Sequence, residues 1–446
     1  MPHCRHIGLT NSANKLMKTN KNLLSIAILS SIATYSSSTL AAGFQLAEYS
    51  ATGLGRAYAG EAAIADNAGS QWRNPALLTY LEGTQVSGGA IYANPNIDVT
   101  GNVSSYGSNY DVNTKDYADD AIIPNFYLSH KLNEKVGLGF ALGTNYGMST
   151  DLGNDYAASH YGDSAEVMTQ EANLNIGYQL TEALSIGGGI RYVMAEGHFG
   201  ATSPAHGVST NGPIPNVTLK YMEGDTTEWA WQLGAAWQIN DHHRVGFAYK
   251  SEVELNLEGT VKGVGFGLVP GTTAPGSLAL TLPATAELAS MYQLSEQTTI
   301  TASINWTDWS SFEKLEADLG ASGTSNVKDE NWEDNYRFAV GAEYQIDSEW
   351  LVRTGIAYDT SAVSDKNRSA TIPETDRTWL SIGAGYTWSP QLSFDAGFTY
   401  IIAKDATISE PRGYADDDTA AAVGGTFEGE TSGNVWLLGV QANYRF

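Results

Sequence analysis

The residues that could do chemistry are few, and their spacing decides which chemistry is open to them. Eight histidines are present: His3, His6, His130, His160, His198, His206, His242 and His243. None carries a serine or aspartate partner at a motif spacing that would build a nucleophile and its base, so no catalytic group is expected. The glycines of Gly53-Leu54-Gly55 lack the strand–turn–helix context and the further glycine of a dinucleotide loop, so no cofactor is expected. Asp116, Asp119 and Asp120, and the run Asp416-Asp417-Asp418, read as solvated loop charge, with divalent bridging the lesser alternative and no resident metal expected. Arg337, Arg353 and Arg377 fall on one face of alternating segments. Pairing with acids such as Glu61 and Asp66 is the expected use of these cations.

Composition narrows the class of molecule that must position them. The 446 residues hold 24 Lys+Arg against 49 Asp+Glu, a net charge of −25, with 47 Gly, 24 Tyr and 11 Trp. So acidic a chain is a poor binder of nucleic-acid phosphates. With 42% hydrophobic residues and aromatics along its whole length, it is not expected to be disordered. Past residue 42 no stretch approaches the roughly 18 unbroken apolar residues of a membrane helix. Alternating membrane strands remain open, because their hydropathy averages out.

The start of the chain reads as an export signal. Lys18 and Lys21 precede the apolar run Leu23 to Ala33, and small residues end at Ser38-Thr39-Leu40-Ala41. Cleavage is expected after Ala41, and Met17 suits a translation start better than Met1. Residues 1–41 hold four cations and no acid, so the mature charge becomes −29, and the only cysteine, Cys4, is lost. The remaining 405 residues have no disulfide framework to stabilise them.

One short signature recurs through the rest. An aromatic residue or His, a polar residue, an apolar residue and then turn formers appear at His130–Glu134, Tyr178–Glu182, Trp237–Asp241, Tyr292–Glu296, Tyr344–Ser348 and Tyr386–Pro390. The gaps of 48, 59, 55, 52 and 42 residues each suit two strands joined by a long loop. Six short turns between seven hairpins predict 14 strands with both termini on the short-turn side. The strands alternate: Tyr336, Phe338, Val340, Ala342 and Tyr344 oppose Arg337, Ala339, Gly341 and Glu343. Likewise Trp436, Leu438, Val440, Ala442, Tyr444 and Phe446 oppose Leu437, Gly439, Gln441, Asn443 and Arg445. Aromatics repeated beside the short turns match an interfacial girdle. A soluble β-sandwich would not need them. The expected fold is an all-β, 14-stranded antiparallel transmembrane barrel over residues 84–446.

Residues 42–83 do not alternate. They are rich in small residues, with short helical periodicity and Pro75 marking a turn or helix start. A lumen this wide needs water or a plug, so this segment is expected to be an N-terminal hatch. Here a resemblance enters. Gly43-Phe44-Gln45-Leu46, Gly53-Leu54-Gly55-Arg56-Ala57-Tyr58, Gly60-Glu61, Ile64-Ala65-Asp66 and Arg73-Asn74-Pro75-Ala76 are similar to the hatch of the outer-membrane long-chain fatty acid transporter family (FadL type). Asn145-Tyr146-Gly147, Tyr249-Lys250-Ser251-Glu252-Val253, Asn367-Arg368-Ser369 and Asp376-Arg377-Thr378-Trp379-Leu380-Ser381 also match.

The resemblance implies passive uptake of long-chain fatty acids or other hydrophobic molecules across the outer membrane of a Gram-negative bacterium. The route would run from an outer groove to an inner pocket and out through a hatch-gated opening at a kink in the third strand. Gly147 matches the kink, with Asn145 and Tyr146 beside it. Phe44 would occupy the exit, and Asn74, Pro75 and Ala76 would position the hatch. Lys328 matches a cation near the substrate carboxylate, while the family's second cation position reads Ala201. The segment Val261 to Leu282, with Phe266 and Leu268, is expected to be an external apolar loop where acyl chains land. The expected surroundings are outer-membrane lipid and lipopolysaccharide, the expected working state is a monomer, and nucleic acid is not an expected partner. The alternatives are uptake of aromatic hydrocarbons by the same route and, in a different class, a lipid-modifying enzyme barrel.

Overall fold

In the computed structural model the described residues are 43–153, 155–205 and 214–446. The expected export signal, Cys4, His3, His6 and His206 lie outside them. Among the described residues fourteen strands form a closed antiparallel ring. In chain order the wall strands are Thr84–Ser105, Ala121–Asn133, a third strand in two pieces (Val136–Gly143 and Gly147–Asp151), Ser164–Gln179, Leu184–Thr202, Thr218–Asn240 and His243–Lys250. The eighth to fourteenth are Thr285–Gln293, Thr298–Thr307, Asn335–Gln345, Trp350–Asp359, Arg377–Thr387, Leu392–Ala403 and Thr426–Arg445. Each pairs with its sequence neighbour in the wall, and the last returns to the first from Gln85↔Arg445 to Ser104↔Thr426. Closure pairs the first strand with the last, so the sheet has no open end strand, as a lipid environment requires.

The alternation seen in the sequence becomes two surfaces. On the tenth strand Tyr336, Phe338, Val340 and Tyr344 are exposed, while Arg337, Ala339, Gly341 and Glu343 are buried. Aromatic residues mark two rows on the outer face, with Tyr336 and Tyr344, Trp350 and Tyr358, Trp229 and Trp237, and Trp436 and Tyr444 as row partners. Partners eight residues apart stand about 26 Å apart along a strand at roughly 3.3 Å per residue, which suits a tilted crossing of an apolar band about 25 Å tall. All six short turns fall at one end of the ring.

Two long-loop segments differ from expectation. Val261 to Leu282 is not irregular. Val253–Lys262 and Thr273–Leu282 form a hairpin beyond the membrane rows, in register from Val253↔Leu282 to Lys262↔Thr273. Val253, Leu255, Leu257 and Val261 face in while Glu254, Asn256, Glu258 and Lys262 face out, so the period of two continues past the seventh strand. The Asp416-Asp417-Asp418 run is the first turn of a helix, Ala415–Gly424, and Asp417 is buried rather than solvated. An acid there complements the helix N-terminus and meets Arg412.

Residues 43–83 fold inside the ring. A short helix Ala51–Leu54 is capped by the Ser50 hydroxyl, which accepts from the Gly53 amide. A second turn, Ser70–Arg73, leads into a 3-10 helix Pro75–Tyr80 whose first amides are capped by Asn74. The wall is smooth where the hatch touches it. A β-carbon on Gly355 would collide with the Arg56 carbonyl, so only glycine lets the two backbones approach.

Candidate functional site

The hatch is held by ion pairs, though not those expected. Arg56, fully buried, reaches Glu61 and Asp66 at 2.7 Å each within the hatch and Glu343 on the wall. Glu61 also accepts from the Tyr49 hydroxyl. The wall arginines have other partners. Arg353 bridges Glu343 and Asp395 at 2.7 and 2.6 Å, and Arg377 pairs with Glu374. Arg337 pairs with Asp359 at 3.0 Å and donates to the Ala57 carbonyl of the hatch at 2.6 Å. A buried carboxylate is satisfied by the nearest rigid guanidinium. For Glu61 and Asp66 that is Arg56, five and ten residues away in the same compact turn. The network is completed by Thr52 donating to Asp395 at 3.0 Å. Asn74 donates to the Ala62 and Ala235 carbonyls at 2.6 and 3.0 Å and accepts from the Ala76 amide at 2.9 Å, with Pro75 in the first helical position.

The third strand is broken where the motif Asn145-Tyr146-Gly147 lies. Gly143 pairs with Glu171 and Gly147 with Met168, so three residues face two on the fourth strand, which is a bulge. On its other side the third strand stays with the second only as far as Phe126↔Leu142. Ala121–Asn125 therefore have no strand partner there, and the wall rejoins at the bridge Ala118↔Thr150. The start of the hatch fills the notch. Gln45 bridges Tyr146, the Gly147 amide donates to the Phe44 carbonyl at 2.8 Å, and the Leu46 amide donates to the Asn145 carbonyl at 2.7 Å. The buried Asn125, at the free edge, leaves both side-chain amide atoms without hydrogen bonds among the described residues.

Two side chains outside the motifs, Glu171 and Arg191, join Asn145 and Lys250 in fixing this break. Asn145 donates to Glu171 at 2.6 Å and accepts from Lys250 at 2.9 Å. Glu171 is gripped by Arg191 through two bonds of 2.8 Å, and Arg191 donates to the Ser251 carbonyl at 3.0 Å. The Lys250 ammonium lies 4.3 Å from the Trp72 ring of the hatch. The Asn-Tyr-Gly and Tyr-Lys-Ser motifs, a hundred residues apart, thus belong to one network.

Phe44 also ends an apolar path. Its ring packs edge-on to Trp309 at 4.6 Å and Phe312 at 5.6 Å, beside Trp332. Above it one continuous buried cluster takes in Tyr146, Met148, Phe199, Leu257, Leu278, Leu280 and Phe266, with Leu268 packed against it. The cluster runs out to the hairpin tip, where Val264 and Val269 are exposed. Within it Phe44, Met148, Phe199, Leu257, Leu280 and Phe312 line a narrow cavity of about 30 Å³. A larger groove of about 770 Å³ lies among Leu288, Ile304, Phe338, Val340 and Ile356. Those side chains belong to the exposed outer face of the wall, so this groove is not part of the inner path.

Lys328 lies behind the polar part of the inner cavity, bonded to Thr371, which lines it together with Glu330, Glu166 and His198. It is buried, donates to the Tyr161 carbonyl at 3.3 Å and the Thr371 hydroxyl at 3.4 Å, and stands 5.9 Å from the Phe199 ring. Glu410 lies 3.7 Å from its ammonium. Burial pushes the Glu410 carboxyl up to about 7 against the pull of Lys328, and burial also raises Glu330. Burial opposes charge on Asp417 too, but Arg412 holds it below the usual carboxylate range. Ala201, at the second expected cation position, is buried in the apolar cluster. His160 is kept neutral by burial, at about 4, and contacts the Gly425 carbonyl at 3.0 Å.

Comparison with known proteins agrees with this architecture. The family model described as outer membrane protein transport protein (OMPP1/FadL/TodX) matches residues 32–446. A long-chain fatty acid transport protein of Escherichia coli O6:H1 is 35% identical, covering 94% of this chain and 98% of its own. Outer membrane protein P1 of Haemophilus influenzae is 32% identical, covering 97% and 100%. Among solved structures, a Pseudomonas aeruginosa FadL homologue superposes with a TM-score of 0.81 at 23% identity over 91% of this chain and 100% of its own. A Pseudomonas putida toluene transporter, TodX, superposes with a TM-score of 0.67 at 15% identity over 90% and 99%.

Proposed function

The chain belongs to the outer-membrane transport family of FadL and TodX, and from that premise we propose that it carries long-chain fatty acids passively inward and releases them through the side of its wall. The protein is an outer-membrane β-barrel. One observation carries the reading. A continuous buried apolar cluster leads from the exposed hairpin tip to Phe44 and Tyr146 at the break in the third strand. An acyl chain entering at Phe266 and Leu268 stays out of the polar sugar layer, where exposing its methylenes costs about 0.8 kcal/mol each. Lys328 would receive the carboxylate, since an ionised head group in an apolar cavity needs a partner.

The narrow cavity must widen to take an acyl chain, and Phe44 is the side chain placed to move. Withdrawal of the first hatch residues from the bulge would open the notch beside Ala121–Asn125 into the bilayer. The hatch spans residues 42–83 in this reading, and the part that stays in place keeps the lumen closed to water. The mechanism uses no bond-making step and takes a single chain among lipopolysaccharide as the working unit.

The test is uptake of oleate and of toluene by a strain lacking its own transporter and carrying this chain. Oleate uptake that depends on the chain is expected. Dependence confined to toluene would overturn the fatty-acid reading and favour aromatic hydrocarbons.

A further inference from the structure

The charges around Lys328 do not balance for an anionic cargo. Two carboxylates already face this one ammonium, Glu410 at 3.7 Å and the buried Glu330. Arg412, the other cation of the cluster, is committed to Asp417, with contacts of 2.7 and 3.0 Å, and lies 3.9 Å from Asp416. Lys220 donates to the Asn326 and Val327 carbonyls of the strand that carries Lys328. Arg368, from the neighbouring loop, is bound to Asp365 and to backbone carbonyls. Tyr156 and Tyr161 face Glu410 from the loop after the third strand, and burial keeps the ring of the neighbouring His160 neutral.

Glu410 is 1% exposed, and neither of its oxygens has a hydrogen-bond donor among the described residues. Glu330 at least receives the Trp332 indole N–H at 3.0 Å. A carboxylate head group docking on Lys328 would be a third acid around one buried ammonium. A proton on one acid removes that conflict, and the acid without donors loses least by taking it.

We propose that Glu410 sets which head group the Lys328 end of the cavity accepts, so that an anionic acyl chain binds there with uptake of one proton. Ionised Glu410 occupies Lys328 and repels the incoming anion. A proton taken from the medium onto a Glu410 oxygen leaves a neutral carboxylic acid and frees Lys328 for the cargo. This rests on the fatty-acid reading above. It deepens that reading by making capture of an anion fall as pH rises through about 7. A neutral head group needs no such proton.

The experiment measures binding of hexadecanesulfonate, oleate and oleyl alcohol to the purified full chain in detergent between pH 6 and 8. The sulfonate never titrates, so any slope belongs to the protein. One linked group at about 7 predicts sulfonate affinity about tenfold weaker at pH 8 than at pH 6. In Glu410→Gln the slope is expected to vanish, with binding about tenfold tighter than the unaltered chain at pH 8. A second readout needs no variant: calorimetry in two buffers of different ionisation heat should show close to one proton taken up per sulfonate bound at pH 8. A flat profile in the unaltered chain, or the same slope in Glu410→Gln, would overturn the proposal while leaving fatty-acid transport standing. Binding of oleyl alcohol without either anion would overturn both.

Discussion

At the scale of single residues, the hatch depends on one guanidinium. Arg56 holds Glu61, Asp66 and Glu343 together, so removing it leaves three acids in the lumen with much of their compensation gone. Breaking a buried pair costs about 3–5 kcal/mol. Arg56→Ala is expected to loosen the hatch without opening the wall, seen as a rise in single-channel conductance in planar bilayers. Conductance equal to that of the unaltered chain would mean that Arg56 is not the tether. Acids in the outer segments give a pH effect with a definite sign. Burial raises Glu374, in the loop between the eleventh and twelfth strands, and Asp416, at the start of the helix Ala415–Gly424, to about 7. Folded values above the ordinary carboxylate range mean that their stabilising protonation is complete below about 4 and lost as pH rises through about 7. Hydrogen exchange in residues 360–376 and 415–424, corrected for intrinsic rates, should therefore be faster at pH 8 than at pH 6.

At the scale of elements, the break in the third strand and the seat of the hatch are both backbone features secured by side chains from elsewhere. Asn145→Ala removes the link between Glu171 and Lys250 and should cost about 1–3 kcal/mol locally. Faster exchange at residues 144–147, with the ninth strand unchanged, is the expected signature. Gly355→Leu places a side chain where the Arg56 carbonyl now lies and should displace the hatch from a wall that still closes. The strands were readable because period-two alternation and short turns are local properties. Tyr336 to Tyr344 announced a wall strand, and Tyr344–Ser348 announced its turn. The hairpin Val253–Leu282 alternates as regularly in its first strand and turns at Val269-Pro270-Gly271-Thr272, but it lies outside the repeated aromatic turn signature, and its glycines and prolines resemble a loop. The partners of Glu61 and of Arg353 were not readable. Pairing depends on which carboxylate the folded hatch brings within reach, and Arg353 meets Asp395 from 42 residues away. The burial of Asp417 is set by Arg412 and by the helix Ala415–Gly424, neither of which a run of three acids reveals.

At the scale of the whole molecule, a ring closed by its first and last strands encloses a hatch, and the hatch begins in the only bulge that also frees one edge of a neighbouring strand among the described residues. Lateral release requires that Phe44 and Gln45 leave this bulge. Gln45 and Tyr146 are bridge partners, whose α-carbons in antiparallel pairs stand about 4.5–5.5 Å apart, within disulfide reach. The most direct test is therefore oleate import by a Gln45→Cys, Tyr146→Cys pair, measured oxidised and then reduced in the same vesicles. Import that stops on oxidation and returns on reduction is the predicted result. Equal import in both states would show that cargo passes without this segment moving, and would contradict release through the wall.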